Sequence, residues 1–205
     1  MNIGEFSRGG RNRVLTKAED HDLGVKTKLT PFGFYAPQHN DLFIYFTEGP
    51  ASSDFIVDQL DEIWPILRDK YDVDILTINA DNGTDNSSNR TQYIKRLVEL
   101  SQKHHITINL AYYPPYHSKY NSVERVWGVY ENHINGDMMD TVETTLKFAE
   151  SMKYKGQNPY VKLVEKVYKK GVKVTKTVME TYNKFVDRLP KLGKWFLTIN
   201  ALGVD

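Results

Sequence analysis

Two acidic residues stand where a carboxylate can do chemistry. Asp81 follows the apolar run "DVDILTINA" and opens the polar stretch "DNGTDNSSNR". A short alternating apolar run reads as a strand, so Asp81 is expected at a strand's carboxyl end, the edge where open α/β sheets bind ligands. Glu124 lies in "YYPPYHSKYNSVERVWG", residues 112–128. Pro114 and Pro115 force an extended exit from the preceding strand, and a polar run then delivers Glu124 to the start of a helix. One helix, one strand and a loop separate the two acids, which puts them at the same edge if their strands are neighbours. Two carboxylates brought together repel unless a cation lies between them, and a divalent ion with oxygen ligands answers that need. Each acid also has a plainer reading. Asn82-Gly83 is a strong turn signal, so Asp81 could simply begin a turn, although no second strand follows. Glu124 could simply favour a helix N-terminus.

His117, Lys119 and Arg125 flank Glu124 and suit contacts to phosphate; each alone is more often a solvated surface residue. His104-His105 ends a helix, where positive charge is favoured, and is read as structural. His21-Asp22, in the cluster "AEDHD", is read by default as a surface turn.

These acids need elements to hold them. "TPFGFYAP" and "DLFIYFTEG" read as two strands joined by the turn-forming "QHND", hence a hairpin. "SSDFIVDQLDEIWPILRDKY" is an amphipathic helix capped by Ser52 or Ser53, with Phe55, Ile56, Leu60, Ile63 and Leu67 inward; Pro65 is expected to kink or shorten it. "DVDILTINA" is expected to be a buried strand. "NRTQYIKRLVELSQKHH" is a second helix with Tyr93, Ile94, Leu97, Val98 and Leu100 inward, and "ITINLAYYP" a further strand. A helix from about Ser122 carries Val123, Val126, Trp127 and Tyr130 on one side. "TVETTLKFAESM" and "PYVKLVEKVYKKGVKVTKTVMETYNKFVDRL" read as helical, interrupted by Gly156, Pro159 and Gly171. Strands alternating with helices make an α/β domain with a mixed sheet.

Composition narrows the function classes. Residues number 205, 40% hydrophobic and 26% charged, ordinary for a globular protein with a real core. Without cysteine, disulfides and thiolate metal sites are excluded, and a reducing cytosol fits best. No apolar run approaches the ~20 residues that span a bilayer, and the first residues lack the apolar centre of a signal peptide. The net charge of +1 hides an asymmetry: Lys153 to Lys184 holds nine Lys against two Glu. That block suits a polyanionic partner, although a solvated lysine face is the commoner reading.

The stretch "ADNGTDNSSNRTQYIKRLVELSQKHHITINLAYYPPYHSKYNSVERVWGVYENHING" resembles the core of insertion-sequence DDE transposases, in the Azo-thirteen-type branch, distantly related to mariner-like enzymes. The D-N-G-x-x-N-S and P-P-Y-x-S-K-x-N-x-x-E-R elements carry the likeness, with "IGEFSRGGRNR", "AEDHD" and "KGVKVTKTVME" extending it over essentially the whole chain. The resemblance implies a ribonuclease H-like α/β fold in which three acids hold two Mg²⁺ (or Mn²⁺) ions. Asp81 matches the second acid and Glu124 the third. The first belongs to a D-x-K element before the G-x-F-S-R-G-G stretch, and the chain begins past it. The expectation is therefore an N-terminally truncated transposase: residues 1–150 a catalytic domain with an incomplete first strand, residues 151–205 a basic helical C-terminal extension packed on it. The implied partners are DNA, as transposon ends and target, with a homodimer as the candidate assembly and no membrane. The implied location is cytoplasmic and nucleoid-associated. Two other readings stay open: a non-catalytic DNA-binding protein of this descent, and a metal-dependent nuclease recruiting Asp20 or Asp22.

Overall fold

The computed structural model describes residues 4–5, 28–114 and 120–203. In chain order the elements are β1 (Gly4–Glu5), β2 (Thr30–Ala36), β3 (Asp41–Thr47), α1 (Ser53–Tyr71), β4 (Ile75–Ala80), α2 (Thr91–His104), β5 (Thr107–Tyr112), α3 (Ser122–His133), β6 (Met138–Met139), α4 (Val142–Ser151), β7 (Tyr160–Val164), α5 (Lys176–Asn183), β8 (Val186–Arg188) and β9 (Phe196–Ile199). The result is a mixed α/β protein whose chain divides into two compact units, residues 1–49 with 122–167, and residues 50–121 with 168–205. None of the described helices is long and apolar enough to cross a membrane.

In the first unit, β2 and β3 form the expected hairpin, antiparallel from Thr30↔Thr47 to Ala36↔Asp41. Its turn closes through Asn40, which takes the left-handed conformation at φ 60° that Asn tolerates best among residues other than Gly. The Tyr35 hydroxyl donates to Asn40 Oδ1 at 2.7 Å and holds the turn. β7 adds parallel to β3, pairing Phe43 with Tyr160 and Thr47 with Val164. Helix α3 crosses β2 where Gly33 leaves room: a Cβ there would lie 2.9 Å from Trp127 and 3.2 Å from Val123. The core joins Leu29, Ile44 and Phe46 to Val126, Tyr130 and Ile134, with Ala149 and Met152 of the α4 region. Thr141 caps α4, its hydroxyl accepting from the Thr144 N–H at 3.0 Å.

The second unit holds a four-stranded sheet in the order β4-β5-β9-β8. β4 and β5 are parallel, the crossover being α2, and β9 and β8 continue the sheet antiparallel. Ser52 caps α1, accepting from the Phe55 N–H at 3.4 Å. α1 continues through Pro65 to Tyr71, so the proline does not shorten it. α1 and α2 are tied by charge as well as packing. Arg96 pairs with Asp58, with Asp54 at 3.3 Å and with Glu99 at 3.2 Å, and Gln92 donates to Asp54 at 2.7 Å. The five apolar residues expected inward on α2 are all buried.

Two expectations are corrected. β4 is a strand but not a buried one: along it only Ala80 is buried, and Ile75 is 60% exposed. Among the described residues it pairs with β5 alone, and an edge strand's burial depends on what lies beside it, which local sequence does not state. The segment 159–189 is not continuously helical. Helix is confined to Lys176–Asn183, while Tyr160–Val164 and Val186–Arg188 are strands. "YVKLVEKVY" satisfies both a helical and a period-two apolar pattern. Long-range pairing with β3 selects the extended form for its first half.

Candidate active-site acids

Asp81 lies where expected, directly after β4. The backbone turns at once: Asn82 is left-handed at φ 63°. Asp81 Oδ1 accepts from the Gly83 N–H at 3.1 Å and from Asn86 Nδ2 at 3.0 Å. The turn reading of Asp81 therefore holds locally, yet no hairpin follows; the chain proceeds through turns into α2. The loop is pinned at both ends of its path. Asn82 Oδ1 accepts from the Ser88 N–H at 3.1 Å, the Tyr112 hydroxyl donates to the Asn86 carbonyl at 2.8 Å, and Ser53 Oγ donates to the Asp85 carbonyl at 2.6 Å.

Asp81 is exposed at the surface, and its second carboxylate oxygen accepts no hydrogen bond among the described residues. Beside it Asn86 Oδ1 is buried without a partner among the described residues. Gly83 keeps the space next to these oxygens open: a Cβ there would stand 3.2 Å from Asn86 Oδ1 and 3.3 and 3.6 Å from the two Asp81 oxygens. The donors are a carboxylate and an amide carbonyl, the all-oxygen chemistry that suits Mg²⁺ or Mn²⁺. Among the described residues no group of three or more His, Cys, Asp or Glu is gathered to hold a metal ion. Asp81 also leaves its mark on its surroundings. Burial raises the Tyr112 hydroxyl above its ordinary value; Arg188 opposes that shift and Asp81 adds to it. Burial, then Tyr112, then Asp81 raise the Tyr93 hydroxyl likewise.

Glu124 occupies the first turn of α3, in the other unit. It is exposed and makes no ion pair or hydrogen bond with the described residues. Buried Val126 and Tyr130 fix the helix face beneath it. Arg125, its neighbour, is exposed and sits close enough to Lys155 to oppose the upward shift of that lysine, a shift led by its hydrogen bond with Tyr35. His117 and Lys119, with Asp20 and Asp22, lie outside the described residues. Each acid is thus placed within its own unit.

The basic block runs from one unit into the other at residues 167–168, and all of its lysines except Lys162 are exposed. Sequence reasoning did not single out Asn86, Ser88 or Arg188. Asn86 sits in the quoted D-N-G-T-D-N-S element and was within reach. Arg188 carries no local signal, because its importance comes from folding back onto Ser88.

Residues 1–201 match the family model described as "Rhodopirellula transposase DDE domain". No curated protein and no solved structure matches the chain at a significant level.

Proposed function

The chain belongs to the Rhodopirellula transposase DDE-domain family, and we propose on that premise that it serves metal-dependent DNA strand cleavage and transfer in transposition, on a ribonuclease H-like scaffold. The observation that carries the reading is the family match across residues 1–201. From the resemblance of their D-N-G-x-x-N-S and P-P-Y-x-S-K-x-N-x-x-E-R elements, Asp81 and Glu124 are proposed as the second and third acids of the family pattern. Both are exposed carboxylates without an ion pair among the described residues, which leaves them open to a metal ion.

Asp81 and Glu124 would each offer a carboxylate to a divalent ion, with Asn86 Oδ1 as a neutral oxygen beside Asp81. When bound, two such ions stabilise the attacking and leaving oxygens of an in-line displacement at phosphorus. The protein's own part is to orient these oxygens, and the pinned loop 81–90 supports that role. His117, Lys119, Arg125 and the lysines of the basic block are proposed to contact DNA phosphates.

Asp81 and Glu124 stand for two of the three acids that the resemblance implies. The polypeptide is therefore expected to bind duplex DNA, with affinity falling steeply as salt rises, while leaving supercoiled plasmid intact in Mg²⁺ or Mn²⁺. Salt-independent affinity would argue against a DNA-facing surface. Nicking that disappears in Asp81→Ala and Glu124→Ala would show that another acid completes the site, with Asp20 and Asp22 the first to test.

A further inference from the structure

Within the second unit a cavity of about 560 Å³ opens between the N-terminus of α2, helix α5 and strand β8. Its polar lining comprises Ser88, Asn89, Thr91, Lys176, Asn183 and Arg188, and no carboxylate among the described residues lines it. Arg188 is held in place by backbone: its Nη2 donates to the Ser88 carbonyl at 2.7 Å and its Nη1 to the Gly193 carbonyl at 2.8 Å. A Cβ on Gly193 would fall 2.9 Å from Arg188 Cβ, so glycine permits this close approach. Arg188 pairs with no carboxylate among the described residues. Desolvation lowers its pKa, as expected of a cation partly withdrawn from water without a counter-charge. Lys176 is exposed and likewise unpaired among the described residues.

The wall between these cations completes the case. α2 is 14 residues long, and its N-cap residue, Arg90, makes no side-chain capping bond. Its first N–H groups thus lack the usual side-chain acceptor and carry the positive end of the helix dipole. Ser88, 1% exposed, lines the same cavity with an Oγ that has no hydrogen-bond partner among the described residues. Two cations, an uncapped helix N-terminus and an orphaned hydroxyl around one space, with no acid among the described residues, are complementary to an anion. The neighbourhood extends toward Asp81, since Tyr112 senses the charges of both Arg188 and Asp81.

We propose that this cavity binds one phosphate of the DNA backbone, with Arg188 and Lys176 as its cations, and so sets the position of the strand along the loop that carries Asp81. This rests on the DNA-directed reading above and names a contact within it. The phosphate-binding chemistry itself does not depend on that reading, and two arms separate them.

In the first arm, the full 205-residue chain is titrated with a duplex oligonucleotide over a range of salt. Lys176→Gln and Arg188→Gln should each weaken binding and lower the slope of log affinity against log salt by about one. Lys176→Gln removes an exposed, unpaired group and leaves folding untouched, so it decides the matter even where Arg188→Gln fails to fold. In the second arm, inorganic phosphate is titrated into the same chain and amide resonances are followed. Shifts should cluster at residues 88–93, at Lys176 and at Arg188, and should be lost in Lys176→Gln. Unchanged duplex affinity and slope in Lys176→Gln overturn the backbone-phosphate assignment. Absence of clustered shifts with phosphate overturns the anion site itself. A phosphate response in a chain that does not bind duplex keeps the anion site, overturns its assignment to DNA and assigns it to a free phosphate.

Discussion

The oxygens around Gly83 make a specific claim about single residues. Among the described residues, Asp81 offers an oxygen free of hydrogen bonds, Asn86 a buried carbonyl without a donor, and Gly83 the space beside them. Mn²⁺ added to the chain should broaden the amide signals of residues 82–86, and Asp81→Asn should remove the effect. Gly83→Ala should weaken it without loss of thermal stability, because the added methyl crowds the oxygens and not the core. A second residue-scale expectation concerns acid. Burial raises the Glu99 carboxyl, but the hydrogen bonds from Lys95 at 2.7 Å and Tyr182 at 3.0 Å, with the charges of Lys95 and Arg96, bring it below its ordinary value of 4.5. A depressed folded pKa means the stabilisation is complete above the unfolded value and is lost as pH falls through the folded one. Asp61 behaves alike: burial opposes, and Lys103 and His104 prevail. Urea midpoints should therefore fall below about pH 4.5, and Glu99→Gln should flatten that acid limb. An unaltered limb in the variant would show that Glu99 does not drive it.

Elements differ in how far their own residues determine them. α1 and α2 were legible because each carries a long apolar stripe at helical spacing, and α1 also has Ser52 at its cap. The β2–β3 hairpin was legible from its alternation and from Asn40 in the turn. The edge position of Asp81 followed from the end of β4. What escaped local reading depends on distant partners. β7 is extended because β3 accepts it across more than a hundred residues, β4 is exposed because nothing pairs with its outer edge among the described residues, and Arg188 matters because it reaches back to Ser88. The seat of α3 on β2 is a close packing of this kind, and it governs the helix that carries Glu124. Gly33→Ala places a methyl against the rigid Trp127 indole, which can yield only by shifting α3. The expected cost is about 1–3 kcal/mol, the usual range for overpacking, read as a lowered denaturant midpoint. Gly49→Ala, whose Cβ would meet its nearest neighbour at an ordinary 3.7 Å, is the control.

At the scale of the whole molecule, each unit is assembled from two stretches of chain that are not adjacent in sequence. The last stretch supplies β9 and β8 to the sheet of the second unit, where β9 covers the edge of β5 through Leu110↔Leu197 and Ile108↔Ile199. All four of these side chains are buried. Ending the chain after Val167 would uncover them and leave β5 with an open apolar edge, a template for aggregation. Such a polypeptide should lose cooperative unfolding and precipitate, even though Asp81 and Glu124 are both retained.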